Sequence, residues 1–160
     1  MTDQTLTRRG LLIGGLVLLA ASPLRTMAQG DGPAIHVMKD PNCGCCSAWI
    51  EILERDGFSV TTEDSVGTLL MRHKAENGIP QAMISCHTAR VEGYMIEGHV
   101  PTADIRRLLA TRPEAVGLAV PGMPYGSPGM GPEDQREAYD VFLIRHDGST
   151  EVFTSYEAAA

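Results

Sequence analysis

Three of the four cysteines of this 160-residue chain stand in one short turn, at Cys43, Cys45 and Cys46. They follow a strand-like run that begins at Ile35 and precede a helix-like run that begins near Ser47. The N-terminus of a helix carries free N–H groups and a partial positive charge, which favour thiolate over thiol. Thiolate is the form that binds soft metal ions and attacks disulfides. A structural disulfide or inert buried thiols are the simpler alternative, but packing alone hardly explains a triple cluster.

The crowding of these thiols bears on which metal ion they suit. Soft sulfur ligands select Cu(I), and they also suit zinc and iron–sulfur clusters. Strain argues against three cysteines on one turn binding a single tetrahedral ion, and an iron–sulfur cluster needs four well-separated thiolates. Cu(I) makes smaller demands because it accepts two or three ligands. Met123 and Met130 offer thioethers that also suit Cu(I), with apolar packing as their simpler alternative.

Hydrophobic periodicity predicts the elements that position these residues. The predicted order is β-α-β-α-β-β-α, with strands at 35–39, 58–62, 88–91 and 94–96. The first helix is predicted at 47–56, the second begins after a cap at Asp64 or Ser65, and the third runs from Thr102 to Arg112. The cysteines lie at the first strand-to-helix turn. This order and placement predict a thioredoxin-like α/β fold, which is a mixed sheet with flanking helices.

The fourth cysteine, Cys86, stands with His87 immediately before the third predicted strand. In a thioredoxin-like fold that position lies across from the first strand-to-helix turn, and its usual occupant is a proline. We therefore expect Cys86 to approach the three-cysteine turn and complete a set of four thiolates. His87 is a candidate second ligand or hydrogen-bond partner, and a capping or solvent-facing histidine is the alternative. His99 is either a ligand at the rim of the site or a backbone-bonding residue at a helix start.

The segment 116–132 is rich in glycine and proline, so we expect neither a long helix nor a central strand there. Its apolar residues predict a loop that packs against the domain. A β-hairpin is predicted over 140–156, with its turn at Asp147-Gly148. Residues 35–157 are thus expected to form a single domain that includes this Gly/Pro/Met loop and the hairpin.

Charge and the N-terminal segment indicate where the protein works. The chain has 13 basic and 20 acidic residues, and a net charge of −7 disfavours a nucleic-acid partner. Arg8-Arg9, an apolar run at 11–21 and Thr26-Met27-Ala28 together predict a twin-arginine export signal over residues 1–28, followed by a short linker at 29–34. We expect a periplasmic protein without stable membrane association once the signal is removed.

Six short motifs resemble those of one bacterial family: PNCGCC at 41–46, SCHT at 85–88, VEGY at 91–94, EGHVP at 97–101, AVGLAVPGMP at 115–124 and GSPGM at 126–130. The family is described as a domain of unknown function and is often named as a metal-binding or copper-resistance protein. The resemblance implies an exported, thioredoxin-like protein associated with copper handling. It also implies that the metal-site residues are Cys43, Cys45, Cys46, Cys86, His87, Met123 and Met130.

Two functions from different classes fit these residues. The first is an exported Cu(I)-binding protein that buffers or transfers copper in the periplasm, with Zn as the alternative metal and a copper exporter or other periplasmic copper protein as partner. The second is a periplasmic thiol–disulfide oxidoreductase in which Cys43 attacks and Cys46 resolves. A purely structural role with two disulfides is a third. We favour a binding protein over an enzyme, because a redox pair needs two cysteines and Cys86 stands where oxidoreductases keep proline.

The export signal leads to the first prediction. The mature chain is expected to begin near Gln29 and to occur in the periplasmic fraction, because Arg8-Arg9 and the apolar run direct export before cleavage after Ala28. N-terminal sequencing of the protein from separated cell fractions measures this. A chain with intact Met1 in the cytosolic fraction would contradict the prediction.

Overall fold

The computed structural model describes residues 32–160. The predicted export signal at 1–28 lies outside the described residues. None of the helices within 32–160 combines the length and the apolar character of a membrane span.

Seven strands and three α-helices make up the described part of the chain. Their bounds are β1 Ala34–Lys39, α1 Gly44–Arg55, β2 Ser59–Asp64, α2 Gly67–Glu76, β3 His87–Val91, β4 Tyr94–Glu97, α3 Thr102–Thr111, β5 Gly117–Ala119, β6 Tyr139–Ile144 and β7 Thr150–Tyr156. Short 3₁₀ turns occupy Gln81–Met83 and Glu133–Gln135. The strands form one mixed sheet in the order β2-β1-β3-β4-β5-β6-β7, in which the β1–β2 and β4–β5 pairs are parallel.

The two faces of this sheet bury apolar clusters of different size. Side chains alternate between faces along a strand, so Ile35 and Val37 of β1 point to the face that α1 and α3 cover. Trp49 of α1 and Ile105 of α3 are fully buried in that larger core. The opposite face carries a smaller apolar cluster of four buried residues, namely Ile79, Met95, Ala119 and Ile144. Helix α2 lies on this second face.

The predicted α/β architecture is confirmed: a mixed sheet with flanking helices, a Gly/Pro/Met loop and a C-terminal hairpin. Nothing in the topology conflicts with a thioredoxin-like fold. Helix α1 begins at Gly44, three residues before the predicted start, because the Cys43 side chain caps it by accepting a hydrogen bond from the Cys46 N–H. The predicted cap of α2 is wrong, since Val66 occupies the cap position and makes no side-chain hydrogen bond.

The expectation that 116–132 contains no central strand is wrong at its start. Strand β5 occupies Gly117–Ala119 and lies between β4 and β6. A Cβ atom on Gly117 would come within 1.7 Å of the Met95 carbonyl oxygen, so glycine is what permits this close approach of the two backbones. The prolines begin only at Pro121, after the strand has ended. Three residues therefore suffice for a buried strand within a segment whose composition predicts a loop.

Candidate metal centre

Strand pairing places the two cysteine-bearing segments side by side. Strand β3 runs antiparallel to β1, and Lys39 at the end of β1 lies opposite His87 at the start of β3. The chain leaves β1 to form the three-cysteine turn, and it enters β3 directly after Cys86. As expected from the sequence, Cys86 lies beside the turn although 40 residues separate it from Cys46.

Four sulfur atoms meet at this point. Cys43 and Cys46 form a disulfide, and Cys45 and Cys86 are the free cysteines of the described residues. The Cys46 and Cys86 sulfurs are 3.5 Å apart, as are those of Cys43 and Cys45. The Cys45 and Cys86 sulfurs are 4.0 Å apart. Every cysteine of the chain therefore contributes to one cluster.

The N-terminus of α1 gives the cysteines of the turn different surroundings. Cys43 accepts the Cys46 N–H at 3.3 Å and is half-buried, as is Cys45, whereas Cys46 is fully buried. Burial and the neighbouring Cys45 raise the pKa of Cys86 to about 12. Cys86 is thus a protonated thiol at neutral pH, and a metal ion that binds it must displace the proton.

Two buried imidazoles extend the cluster beyond sulfur. His99 places Nε2 at 3.1 Å from the Cys86 sulfur, and its Nδ1 donates to the Pro128 carbonyl at 2.8 Å. That second hydrogen bond sets the tautomer that leaves Nε2 with a free lone pair. Burial lowers the pKa of His99, and burial lowers that of His87 much further. Both rings are therefore neutral at physiological pH, which is the state that ligates metals.

His87 has one ring nitrogen beside Cys86 and the other without a hydrogen-bond partner. Its Nδ1 lies 3.3 Å from the Cys86 sulfur, and its ring stacks at a tilt on Trp49 with centroids 4.4 Å apart. Its Nε2 is the one buried side-chain nitrogen or oxygen within residues 32–160 that has no hydrogen-bond partner. Buried polar atoms normally have partners, so an orphan at a candidate site requires an explanation.

The Gly/Pro/Met loop closes one side of the cluster. Gly129 packs so tightly on α1 that a Cβ there would lie 2.8 Å from the backbone nitrogen of Trp49 and 3.0 Å from the Cys45 carbonyl oxygen. Met130 follows Gly129 and is half-buried. Met123 is 53% exposed and follows Gly122, whose carbonyl oxygen accepts a hydrogen bond from the hydroxyl of Ser85, the neighbour of Cys86. Both thioethers therefore stand on segments that flank the cluster, and their role as ligands stays a prediction.

A buried ion pair supports the segment that carries Cys86. Lys74 and Glu97 are 1% and 0% exposed, and their charged atoms are 2.6 Å apart. Thr88 accepts from Lys74 at 2.6 Å and donates to Glu97 at 2.5 Å. The Ser85 N–H also donates to Glu97, at 2.7 Å, which holds the backbone next to Cys86. Burial lowers the pKa of Lys74 and raises that of Glu97, and each partner opposes the shift of the other.

Some of these residues lie where the sequence predicts, and others have no counterpart among the predicted site residues. Cys86 and His87 meet the three-cysteine turn, whereas His99 is closer to the Cys86 sulfur than a rim position suggested. Lys74 and Glu97 were not identified at all. The signal for Lys74 was its position four residues after buried Leu70, on the same face of α2. Nothing local in the sequence distinguishes that lysine from a solvated one.

The donor set defines the class of site. Four cysteine sulfurs form one group, and Cys86, His87 and His99 form a second, each with all its donor atoms within 4.8 Å of one another. Thiolate and neutral imidazole suit Cu(I) and Zn, and the His87 Nδ1 beside the Cys86 sulfur is the nitrogen of that ring placed to join such a site. The molecule is thus an α/β protein with a cysteine and histidine cluster whose donor atoms could hold a metal ion.

Comparison with known proteins places the chain in a family. The family model described as "Protein of unknown function, DUF411" matches residues 83–130. The solved structure of form 1 of the copper resistance protein CopG is 44% identical, with a TM-score of 0.74, over 80% of this chain and 100% of that chain. Form 2 is 46% identical, with a TM-score of 0.72, over 79% and 99%. Comparison with curated proteins gives no match. The chain belongs to the family of the copper resistance protein CopG, which confirms the resemblance inferred from the motifs.

The buried ion pair leads to a prediction about stability. Lys74→Met should lower the free energy of unfolding by about 3–5 kcal/mol, because it leaves the Glu97 carboxylate buried without its partner. The double variant Lys74→Met/Glu97→Gln should recover most of this loss, since no uncompensated charge remains. Urea unfolding, followed by fluorescence of the single tryptophan Trp49, measures both variants.

A matched control lies on the same helix. Arg72 and Glu76 form an exposed pair at 2.6 Å on α2, and Arg72→Met should change stability little. If Lys74→Met were as mild as this control, the ion pair would not hold the Cys86 segment in place.

Proposed function

We propose that this protein is an exported Cu(I)-binding protein that buffers or transfers copper in the periplasm through its cysteine cluster. The principal ligands are Cys43, Cys45, Cys46 and Cys86. His87 and His99 are the nitrogen donors nearest Cys86, and Met123 and Met130 are auxiliary ligands from the flanking loop. Copper is the cargo of this site, received from and passed to a copper exporter or another periplasmic copper protein.

The observation that carries the proposal is the convergence of every cysteine on one point beside two neutral imidazoles. A disulfide exchange site needs two thiols, and additional thiols beside it invite side reactions. Cu(I) prefers soft ligands, and a cluster of four sulfurs within 3.5–4.0 Å contacts supplies them. The names of the related structures, which describe copper resistance, support copper over zinc.

The oxidation state of the cysteines decides how many ligands are available. The Cys43–Cys46 disulfide withholds two of the four sulfurs from a metal ion. The copper-binding form is therefore the one in which this pair is reduced. Export by the twin-arginine route carries folded cargo, which suits a protein that is loaded before it reaches an oxidising compartment.

Cys86 provides the main test. In the reduced protein, Cys86→Ser should weaken Cu(I) binding by more than about tenfold, because Cys86 belongs to both donor groups of the cluster. The loss of a residue that only orients a ligand already lowers metal affinity by about tenfold or more. Competition with a Cu(I)-selective chelator under anaerobic conditions measures the affinity. Cys86→Ala serves as the second variant, because a buried serine hydroxyl without a partner carries a cost of its own.

The alternative function is a thiol–disulfide oxidoreductase, favoured by the disulfide itself and by the position of Cys43 at the N-cap of α1. Half-exposed Cys43 would attack a substrate disulfide, and buried Cys46 would resolve the mixed disulfide. In that case Cys43→Ser abolishes turnover of a test disulfide while Cys86→Ser retains it. Wild-type Cu(I) affinity in the Cys86 variants, together with turnover that depends on Cys43, would replace the copper proposal with this one.

The loop methionines can be tested without changing the packing. Met123→Leu/Met130→Leu should weaken Cu(I) binding, because leucine has no lone pair to donate, while the swap costs less than about 1.5 kcal/mol of stability. Met71→Leu is the matched control, since Met71 is 39% exposed on α2 and belongs to no proposed site. Chelator competition and thermal unfolding measure both effects. Unchanged affinity in the double variant would leave copper binding to the cysteines and histidines.

A further inference from the structure

A groove between α2 and the second face of the sheet holds a different set of metal-ligating groups. Its volume is about 330 Å³, and its lining includes His36, Met38, Glu63, His73 and Arg90. His36 and Met38 alternate with the core residues of β1, so they point away from the larger core beneath α1 and α3 and toward this groove. The donors here are nitrogen and oxygen with one thioether, whereas those of the cysteine cluster are mainly sulfur.

Two of these donors already have the spacing of ligands on one ion. The His36 Nε2 and a Glu63 carboxylate oxygen are 3.3 Å apart. Two ligands bound at 2.0–2.1 Å and at a tetrahedral angle lie about 3.3 Å from each other. The other ring nitrogen, Nδ1, is held by the Thr61 hydroxyl at 3.0 Å. Metal-binding histidines characteristically have their second nitrogen held in this way, which orients the ring.

His73 supplies the third donor from the opposite wall. The charges of both Glu63 and Arg90 act on its ring: Arg90 lowers the pKa of His73 and Glu63 raises it, while burial lowers it most. The hydrogen bond between the Asn77 amide and the His73 Nδ1 is long, at 3.5 Å. The donor atoms of His36, Glu63 and His73 do not all lie within 4.8 Å of one another, so binding one ion requires the His73 ring to move toward the His36–Glu63 pair. The guanidinium of Arg90, which would oppose a cation, is bonded to the Asn77 carbonyl group.

We propose that His36, Glu63 and His73 form a second metal site, which takes a divalent transition-metal ion such as Zn(II) or Cu(II) independently of the cysteine cluster. Two imidazoles and one carboxylate are ligands that both ions accept, and Cu(II) binds such donors more tightly than other divalent ions of its row. Binding turns the His73 ring toward the pair across the groove. Met38 lines the same groove and offers a soft donor.

Zn(II) is the probe, because it does not oxidise thiols. The full chain is first saturated with Cu(I) at its cysteines under anaerobic conditions, and Zn(II) is then titrated in competition with a chromophoric chelator. The wild type is expected to bind one equivalent of Zn(II). His36→Ala and His73→Ala should each weaken that binding by more than about tenfold, since they remove a ligand. His146→Ala, at an exposed position beside the final hairpin turn, is the control and should bind as the wild type does.

Thr61→Val tests whether the orientation of the His36 ring contributes to Zn(II) binding. It keeps all three ligands and the strand-forming shape of the side chain but removes the partner of the His36 Nδ1. Zn(II) affinity should fall by about 10–100-fold, as it does when ligand-orienting partners are lost at other metal sites. Thermal unfolding of each variant shows that the fold is retained.

The result that overturns the proposal is a wild type that binds no Zn(II) once its thiols are occupied, or His36 and His73 variants that bind as tightly as the wild type. The same titration on protein with alkylated thiols keeps the test independent of copper loading. Cys86→Ser should lose Cu(I) and retain this Zn(II) equivalent, whereas His36→Ala should do the reverse. Failure of either proposed site is therefore distinguishable from failure of the other.

Discussion

The antiparallel pairing of β1 with β3 is the constraint on which the cysteine cluster depends. Its register sets Lys39 opposite His87, so the C-terminal end of β1 and the N-terminal end of β3 lie side by side. Cys86, which immediately precedes β3, therefore lies next to the three-cysteine turn that follows β1. A shift of register by one residue would turn His87 and its neighbours to the other face, and the sulfur contacts would be lost.

Burial of polar groups is the cost of this arrangement, and the structure meets it in several ways. His87 and His99 are fully buried and neutral, so no unpaired charge is placed in the core. Lys74 and Glu97 are buried as a pair that shares Thr88. The His87 Nε2 alone lacks a partner among the residues described, whereas the other ring nitrogen, Nδ1, lies beside the Cys86 sulfur.

The same surroundings shape what the cluster can do with a metal ion. A thiol whose pKa is raised by burial gives up its proton only to a strongly bound cation, so metal uptake is coupled to proton release. The loop at 124–131 reaches over the site through the Pro128 carbonyl and Gly129, which orients His99 and packs on α1. The cluster is thus partly enclosed by protein: Cys46, His87 and His99 are buried, whereas Cys43, Cys45 and Cys86 are half-buried.

Several elements were predictable because their signals are local. The periodicity of β1 and α1, the short turn between the strands predicted at 88–91 and 94–96, and the Asp147-Gly148 turn all depend on neighbouring residues, and each was confirmed. The start of α1 was misplaced because a cysteine is an unusual N-cap. Strand β5 was missed because its three residues are strand-forming only through their neighbours β4 and β6.

The sequence by itself therefore determined the family, the order of the elements and the residue types of the cluster, since motifs and periodicity are properties of short stretches of chain. The predicted fold also anticipated that Cys86 meets the three-cysteine turn, but only the tertiary structure decided which other side chains join them. The approach of His99 to Cys86, the burial of Lys74 against Glu97 and the gathering of His36, Glu63 and His73 in one groove arise from contacts between elements far apart in the chain. Such contacts are set by strand order and register, which no local pattern encodes.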